Sequence, residues 1–483
     1  MKLPALSSLR PIAIGLAATI IAGASTDTAG YLAASQKAID AHDLATAKAQ
    51  IALAIKSNPN SAPAWLMLAT IEAQNGEPEA IPHYQKALRF APNSFAGHYN
   101  LALAYLRSHQ LSAARAQFES AVSLNRNQPD AAYNLGMVLL ELQEPREAIL
   151  SFRRAQALQP ERPDIAFNLV RADLQAGELD SANEEIKKMW NAPALRAAAE
   201  EARRLLAAAY IESRQPERVP PLMENPQSAD DYFLRASALF AQRRLGEAGE
   251  EENHAVQANP QEPRYLLLAA RIAQSLGEEE RALELFRRIG DLAPGWVEAP
   301  YGLAVSYYFE QRYTECRQSL DRGLALLPGC PRCLFLYGIT LVNEGHNEQA
   351  IAYFRRAVQA DPKNSRYHFH LGTAYSRDHR PAEAKESFER AIQLTPQYAL
   401  PHYELGKVLA DAGDGAAAIA QYERAIDCQP SLAQAYYQLG RVTAKIGQLE
   451  KSERAFRRFQ ELKSKTDEQK ELAEDIGGEL RHP

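Results

Sequence analysis

Cys330-Pro331-Arg332-Cys333 is the stretch of this chain best suited to covalent chemistry. It spans the entry into a predicted helix, where the helix dipole acidifies a thiol, and this spacing occurs in redox proteins. Those proteins set it within a strand–helix–strand unit, which is absent here. In an oxidising compartment the expected outcome is a short local disulfide. Two unpaired thiols, redox activity and metal binding are the alternatives. Cys316 reads as a small core residue, and Cys428 lies too far along the chain to bridge to it. His368 and His370 look like a metal pair, yet two residues apart on a helix they point about 200° apart and cannot easily share an ion. His402 repeats the place of His368, which fits packing better. There is no phosphate-binding glycine loop, His-Glu-x-x-His, Gly-x-Ser-x-Gly or zinc knuckle. No catalytic residue, metal site or cofactor is expected. The acidic runs Glu250-Glu251-Glu252 and Glu278-Glu279-Glu280 read as solvated surface.

The elements that would position these residues are written in a period. Proline recurs at Pro260, Pro294, Pro328, Pro362, Pro396 and Pro430, each 34 residues after the last. A fixed period of this length signals a solenoid. Leu371, Gly372, Tyr375, Ala384, Phe388, Ala391 and Pro396 form one frame. One period later stand Leu405, Gly406, Leu409, Ala418, Tyr422, Ala425 and Pro430, and the frame appears early as Leu135, Gly136, Leu139, Ala148, Phe152, Ala155 and Pro160. This is the tetratricopeptide repeat pattern, and the chain resembles that family from about Thr28 to Thr466.

The spacing has a physical reading. Leu371 and Tyr375 share a helical face, as do Ala384 and Phe388. Small residues at Gly372, Ala384 and Ala391 let two antiparallel helices approach, and Phe388 fills the gap. Asp411-Ala412-Gly413-Asp414 and Asn343-Glu344-Gly345 supply turns, and the closing proline ends the second helix. A lone hairpin cannot bury its apolar face, so neighbours must stack. The expected fold is all-α: a right-handed α-solenoid of antiparallel helix pairs. About thirteen frames start near Thr28, Ala62, Phe95, Pro129, Pro163, Glu200, Ala229, Pro263, Val297, Pro331, Ser365, Ala399 and Ala433. Pro220-Pro221 and Pro226 damage the second helix of the sixth. The expected organisation is an N-terminal array over 28–190, a degenerate repeat or joint over 191–230, a C-terminal array over 231–464, and a capping helix and tail over 465–483.

The resemblance implies a concave groove lined by the first helix of each repeat, with positions two, five, six, nine and twelve turned towards it to varying degrees. Position five is aromatic at Tyr99, Tyr133, Phe167, Phe369, Tyr403 and Tyr437. Position six carries Asn100, Asn134 and Asn168 in successive frames and His370 later. An asparagine offers a donor and an acceptor, so such a row could pair with the backbone of an extended peptide. The rings would add apolar area. The competing reading is that both rows belong to the repeat's own packing. Arg171 stands alone near Asn168, without the basic cluster that would clamp a C-terminal carboxylate.

Composition sets the outer limits. The 483 residues are 46% hydrophobic and 24% charged, which excludes a disordered or collagen-like chain. A net charge of −6 leaves no footprint for nucleic acid or anionic lipid, and four cysteines are too few for a disulfide scaffold. Lys2 and Arg10 precede an apolar run from Ile12 to Gly23 that closes on Ala22-Gly23-Ala24. Residues 1–24 therefore read as a secretory signal peptide, with an uncleaved inner-membrane anchor as the alternative. The expected function is a non-enzymatic protein-binding scaffold of the cell envelope, periplasmic or secreted, that holds peptides or partner proteins. A thiol-redox factor using Cys330 and Cys333, or a non-catalytic subunit of an envelope export or assembly machine, is the alternative.

Overall fold

The computed structural model describes residues 26–463. The expected signal peptide and the expected capping helix lie outside them. Among the described residues there are 26 α-helices, two short 3-10 segments and no strand. The helices follow one another as thirteen antiparallel pairs, from Thr26–Asp40 with Leu44–Ser57 to Ala433–Lys445 with Leu449–Lys463. The chain divides into two compact units, between Glu224 and Asn225.

Local chemistry sets each boundary. Pro129, Pro163, Pro263 and Pro331 open their helices, where a missing N–H costs nothing. At the far end, Asn259, Leu327, Asp361, Thr395 and Gln429 leave the helix with φ between −138° and −141°. Each precedes a closing proline, whose ring disfavours helical backbone in the residue before it. Between the two helices of every pair stands one left-handed residue. Six are glycines, such as Gly345 and Gly413, and seven carry side chains, among them Gln143 and His379.

The pairs are held together by a small residue facing a large one. Phe152, Phe354, Phe388 and Tyr422 are fully buried. A Cβ built on Gly136, Gly338, Gly372 or Gly406 would stand only 2.6–2.7 Å from an atom of the corresponding ring. Glycine is required there by contact, since the helix could not come so close with a side chain in between. In the N-terminal unit an apolar core joins Tyr99, Phe118, Tyr133, Phe152 and Leu169; in the C-terminal unit another joins Tyr301, Phe335, Phe354, Phe369 and Phe388.

The sixth and seventh pairs depart furthest from the pattern. In the sixth, the long helix Arg196–Glu212 is followed only by the turn Pro216–Arg218 and the four-residue helix Val219–Leu222. Pro220 and Pro221 allow no more. In the seventh, Glu252 occupies the place that Phe388 holds in the eleventh. It is not solvated surface, as the acidic run suggested, but 1% exposed, and neither carboxyl oxygen has a hydrogen-bond partner. Helical register, stronger than residue type, turned it inwards.

Candidate functional site

The first helices carry both rows of candidate residues, and their geometry is repeated from pair to pair. The position-five ring leans on the large second-helix ring of its own pair. Tyr99–Phe118, Tyr133–Phe152, Phe335–Phe354, Phe369–Phe388, Tyr403–Tyr422 and Tyr437–Phe456 all have centroids 5.8–6.2 Å apart. Tyr99, Tyr133 and Phe369 are buried, Phe167 and Tyr403 are half-buried, and Tyr437 is 40% exposed. Burial pushes the Tyr99 and Tyr133 hydroxyls up to about 12.

The asparagines are buried as well, at 2–4% exposure. Asn134 donates from Nδ2 to the Tyr99 hydroxyl at 3.0 Å, and Asn168 donates to the Tyr133 hydroxyl at 3.1 Å. Each bond ties one pair to the next. Asn168 also donates to the Asp164 carbonyl at 2.8 Å and accepts from half-buried Arg171 at 2.7 Å. Asn100 lacks such a tie because the preceding pair offers Leu66, which has no hydroxyl. Both of its amide atoms are buried without a partner. The amides expected to face a peptide backbone thus face the neighbouring pair.

His370 takes the same place in an aromatic setting. Its ring lies 5.0 Å from Phe335, 5.0 Å from Phe369 and 6.2 Å from Phe354. Burial, with Arg366 and Arg377 adding to it, lowers its pKa to about 3, so it is neutral and packs as a ring. His368 and His402 perform a different recurring task. Their Nε2 atoms lie 3.2 Å from the carbonyls of the closing prolines Pro362 and Pro396. Trp65 donates to Pro59 in the same way at 2.8 Å, and His98 lies 2.9 Å from the Pro92 carbonyl. A carbonyl only accepts, so these histidines carry the proton on Nε2. The six-residue interval between proline and ring was visible in the sequence and would have disclosed this role. Among the described residues, no cluster of three or more His, Cys, Asp or Glu could hold a metal ion.

Cys330 and Cys333 form a disulfide with their Cα atoms 5.3 Å apart, the first of the outcomes expected of them. Cys330 is the N-cap of Pro331–Asn343, and both residues are buried in the apolar core of the C-terminal unit. Cys316 is buried beside the Thr340 hydroxyl at 3.4 Å, and burial pushes its thiol up to about 12. An inert core residue results.

What remains accessible on the first helices is a set of rings with cations one turn on. Phe167 is followed by Arg171, Tyr403 by Lys407 at 5.5 Å, and Tyr437 by Arg441 at 5.9 Å from the ring centre. Ion pairs between successive pairs run beside them, Arg162 with Asp130 at 2.5 Å and Arg332 with Glu298 at 2.8 Å, and Arg162 also pairs with Asp164 of its own helix at 2.9 Å. Arg162 and Arg332 also cover the rings of Tyr133 and Tyr301, at 5.1 and 4.7 Å. No described helix is long and apolar enough to cross a membrane.

The Arabidopsis thaliana protein CTR9 homolog is 31% identical over 113 residues, 23% of this chain, which spans only about one tenth of that relative's length. Among solved structures, Naa15/Naa10 bound to HypK-THB is 14% identical, with 90% of this chain and 75% of that one covered and a TM-score of 0.44. YrrB, a TPR protein with an unusual peptide-binding site, is 23% identical with a TM-score of 0.33, covering 39% of this chain and 96% of its own. Tetratricopeptide repeats are matched over residues 32–95, 99–163, 133–188, 301–365, 335–399, 369–432 and 403–465, well over half of the chain. With thirteen helix pairs behind that match, the chain belongs to the tetratricopeptide repeat family.

Proposed function

We propose that the protein is an exported, non-enzymatic scaffold that holds extended peptides or partner proteins along the exposed side of its first helices. One observation carries this reading: the ring-and-cation steps Phe167/Arg171, Tyr403/Lys407 and Tyr437/Arg441 stay accessible while the remainder of both rows is spent on packing. A ring next to a cation offers apolar area, a donor and a charge to a passing chain. Affinity then comes from many weak contacts along the stack. Asn134, Asn168 and their tyrosines shape that surface from beneath. Export is supported by the signal-like segment from Lys2 to Ala24 and by the Cys330–Cys333 disulfide, a bond that persists in oxidising compartments. Burial of both sulfurs speaks against the redox alternative, which needs an accessible thiolate.

The test is retention of the full chain on an array of random dodecapeptides. Tyr437→Ala with Arg441→Ala should lower the retained signal about tenfold, as loss of a ring and a charge-assisted contact implies. Lys385→Ala with Glu389→Ala, an exposed ion pair on a second helix, should leave it unchanged. Equal retention by both double variants discards the first-helix surface.

A further inference from the structure

The broken sixth pair borders a cavity that combines rings with cations. Where a full second helix would lie, a cavity of about 500 Å³ opens within the N-terminal unit, a size that accommodates a small organic ligand. Its lining includes Ile186, Trp190, Arg203, Tyr210, Arg218 and Leu222. The lining carries Lys187, Arg203 and Arg218 against a single carboxylate, Glu217.

The polar groups are arranged around rings. Arg218 lies 4.2 Å over the Tyr210 ring and is steadied from outside the lining by Asp180 at 2.5 Å and by the Gln215 side-chain oxygen at 3.1 Å. Arg203 lies 5.1 Å over Trp190. Lys187 is paired with Glu184 at 2.7 Å. Tyr210 is 1% exposed, yet its buried hydroxyl has no hydrogen-bond partner in the protein. A buried donor without an acceptor destabilises the fold, and a ligand acceptor would remove that cost.

We propose that this cavity binds the carboxylate of an amphipathic organic acid. The carboxylate accepts from the Tyr210 hydroxyl and from Arg218, and the apolar body lies against Ile186, Trp190 and Leu222. Such a carboxylate can belong to a free acid or to the C-terminus of an apolar peptide. The site uses none of the ring-and-cation steps and does not depend on them.

Isothermal titration of the full chain distinguishes the sources. The probes are sodium decanoate with 1-decanol as its uncharged counterpart, and the tripeptide Leu-Ile-Phe with a free or an amidated C-terminus. The proposal expects at least one acid to bind about tenfold more tightly than the counterpart that lacks its carboxylate, the difference a charge-assisted bond makes. Decanoate alone binding assigns a free acid, and the tripeptide alone assigns a peptide terminus. Tyr210→Phe should weaken binding of the acid roughly threefold to tenfold, and Arg218→Gln about tenfold. Tyr210→Phe removes one oxygen and leaves the ring in place, so it remains informative if Arg218→Gln lowers the melting temperature. Absence of binding by both acids, equal binding of acid and counterpart, or unchanged affinity in Tyr210→Phe would overturn the proposal.

Discussion

The eleventh and the seventh helix pairs share one register and fill the space between their helices with opposite chemistry. In the eleventh, Gly372 lies against the buried ring of Phe388. In the seventh, Ala236 and Phe233 stand at the register places of Gly372 and Phe369, and buried Glu252 stands at that of Phe388. The first arrangement is close packing of a small residue against a large one. The second places an ionisable group where only its neutral form is tolerated, and burial raises that carboxyl to about 9. The repeat's identity thus resides in the small–large contact, and a pair can lose that contact and persist because the following pair still packs against it.

The largest effect should come from breaking the regular side of this comparison. Phe388→Ala removes the ring and leaves the Gly372 backbone facing a cavity, at a cost of about 3–5 kcal/mol. Hydrogen exchange should show the loss of protection concentrated in Ser365–Leu394 and the pairs beside it, since contacts in a solenoid are local. Uniform loss across both units would contradict the locality.

Repairing the irregular side should have the opposite sign. Glu252→Leu is expected to stabilise the protein by about 1–3 kcal/mol at neutral pH, by removing an unpaired buried polar group. The pH dependence follows from the raised pKa. Between the ordinary value of 4.5 and about 9, the unfolded chain has lost the proton that the folded chain keeps. Stability contributed by this group is therefore complete below pH 4.5 and declines as pH rises towards 9. The gain in melting temperature from Glu252→Leu should be larger at pH 8.5 than at pH 5.5; a pH-independent gain would refute the buried neutral carboxyl.

A smaller contrast concerns the ties between pairs. Asn134→Leu strands the Tyr99 hydroxyl and should cost about 1–2 kcal/mol, whereas Asn100→Leu removes an amide that has no partner and should be neutral or stabilising by up to about 1 kcal/mol. Denaturant unfolding of the two variants side by side decides it. Equal losses would mean that the Asn134–Tyr99 bond adds nothing.

These contrasts also mark how far the sequence could be read. Most frame starts, the closing prolines and the Gly–Phe contacts were legible because each is set by residues within one hairpin; the sixth start, near Glu200, falls four residues inside the helix Arg196–Glu212. The burial of position six was not, because it depends on the preceding hairpin. Asn134 is buried by what Tyr99 offers it from the pair before, and periodicity reports a face without saying what covers it. Glu252 was misread for another reason. Its type and its acidic neighbours suggested solvent, although it stands 23 residues after Ala229, as Phe388 stands 23 after Ser365. Register carried the answer and composition obscured it. The disulfide was legible as one of several outcomes, since spacing alone does not fix the redox state of a pair.

The central claim, that the exposed side of the first helices is the binding surface, is tested most directly by hydrogen exchange. The full chain would be measured with and without the tightest dodecapeptide from the array. New protection centred on helices that bear the ring-and-cation steps, Pro163–Gln175 in the N-terminal unit or Ala399–Asp411 with Ala433–Lys445 in the C-terminal unit, is the predicted result. Protection confined to the second helices, with those three unchanged while the peptide is bound, would contradict it.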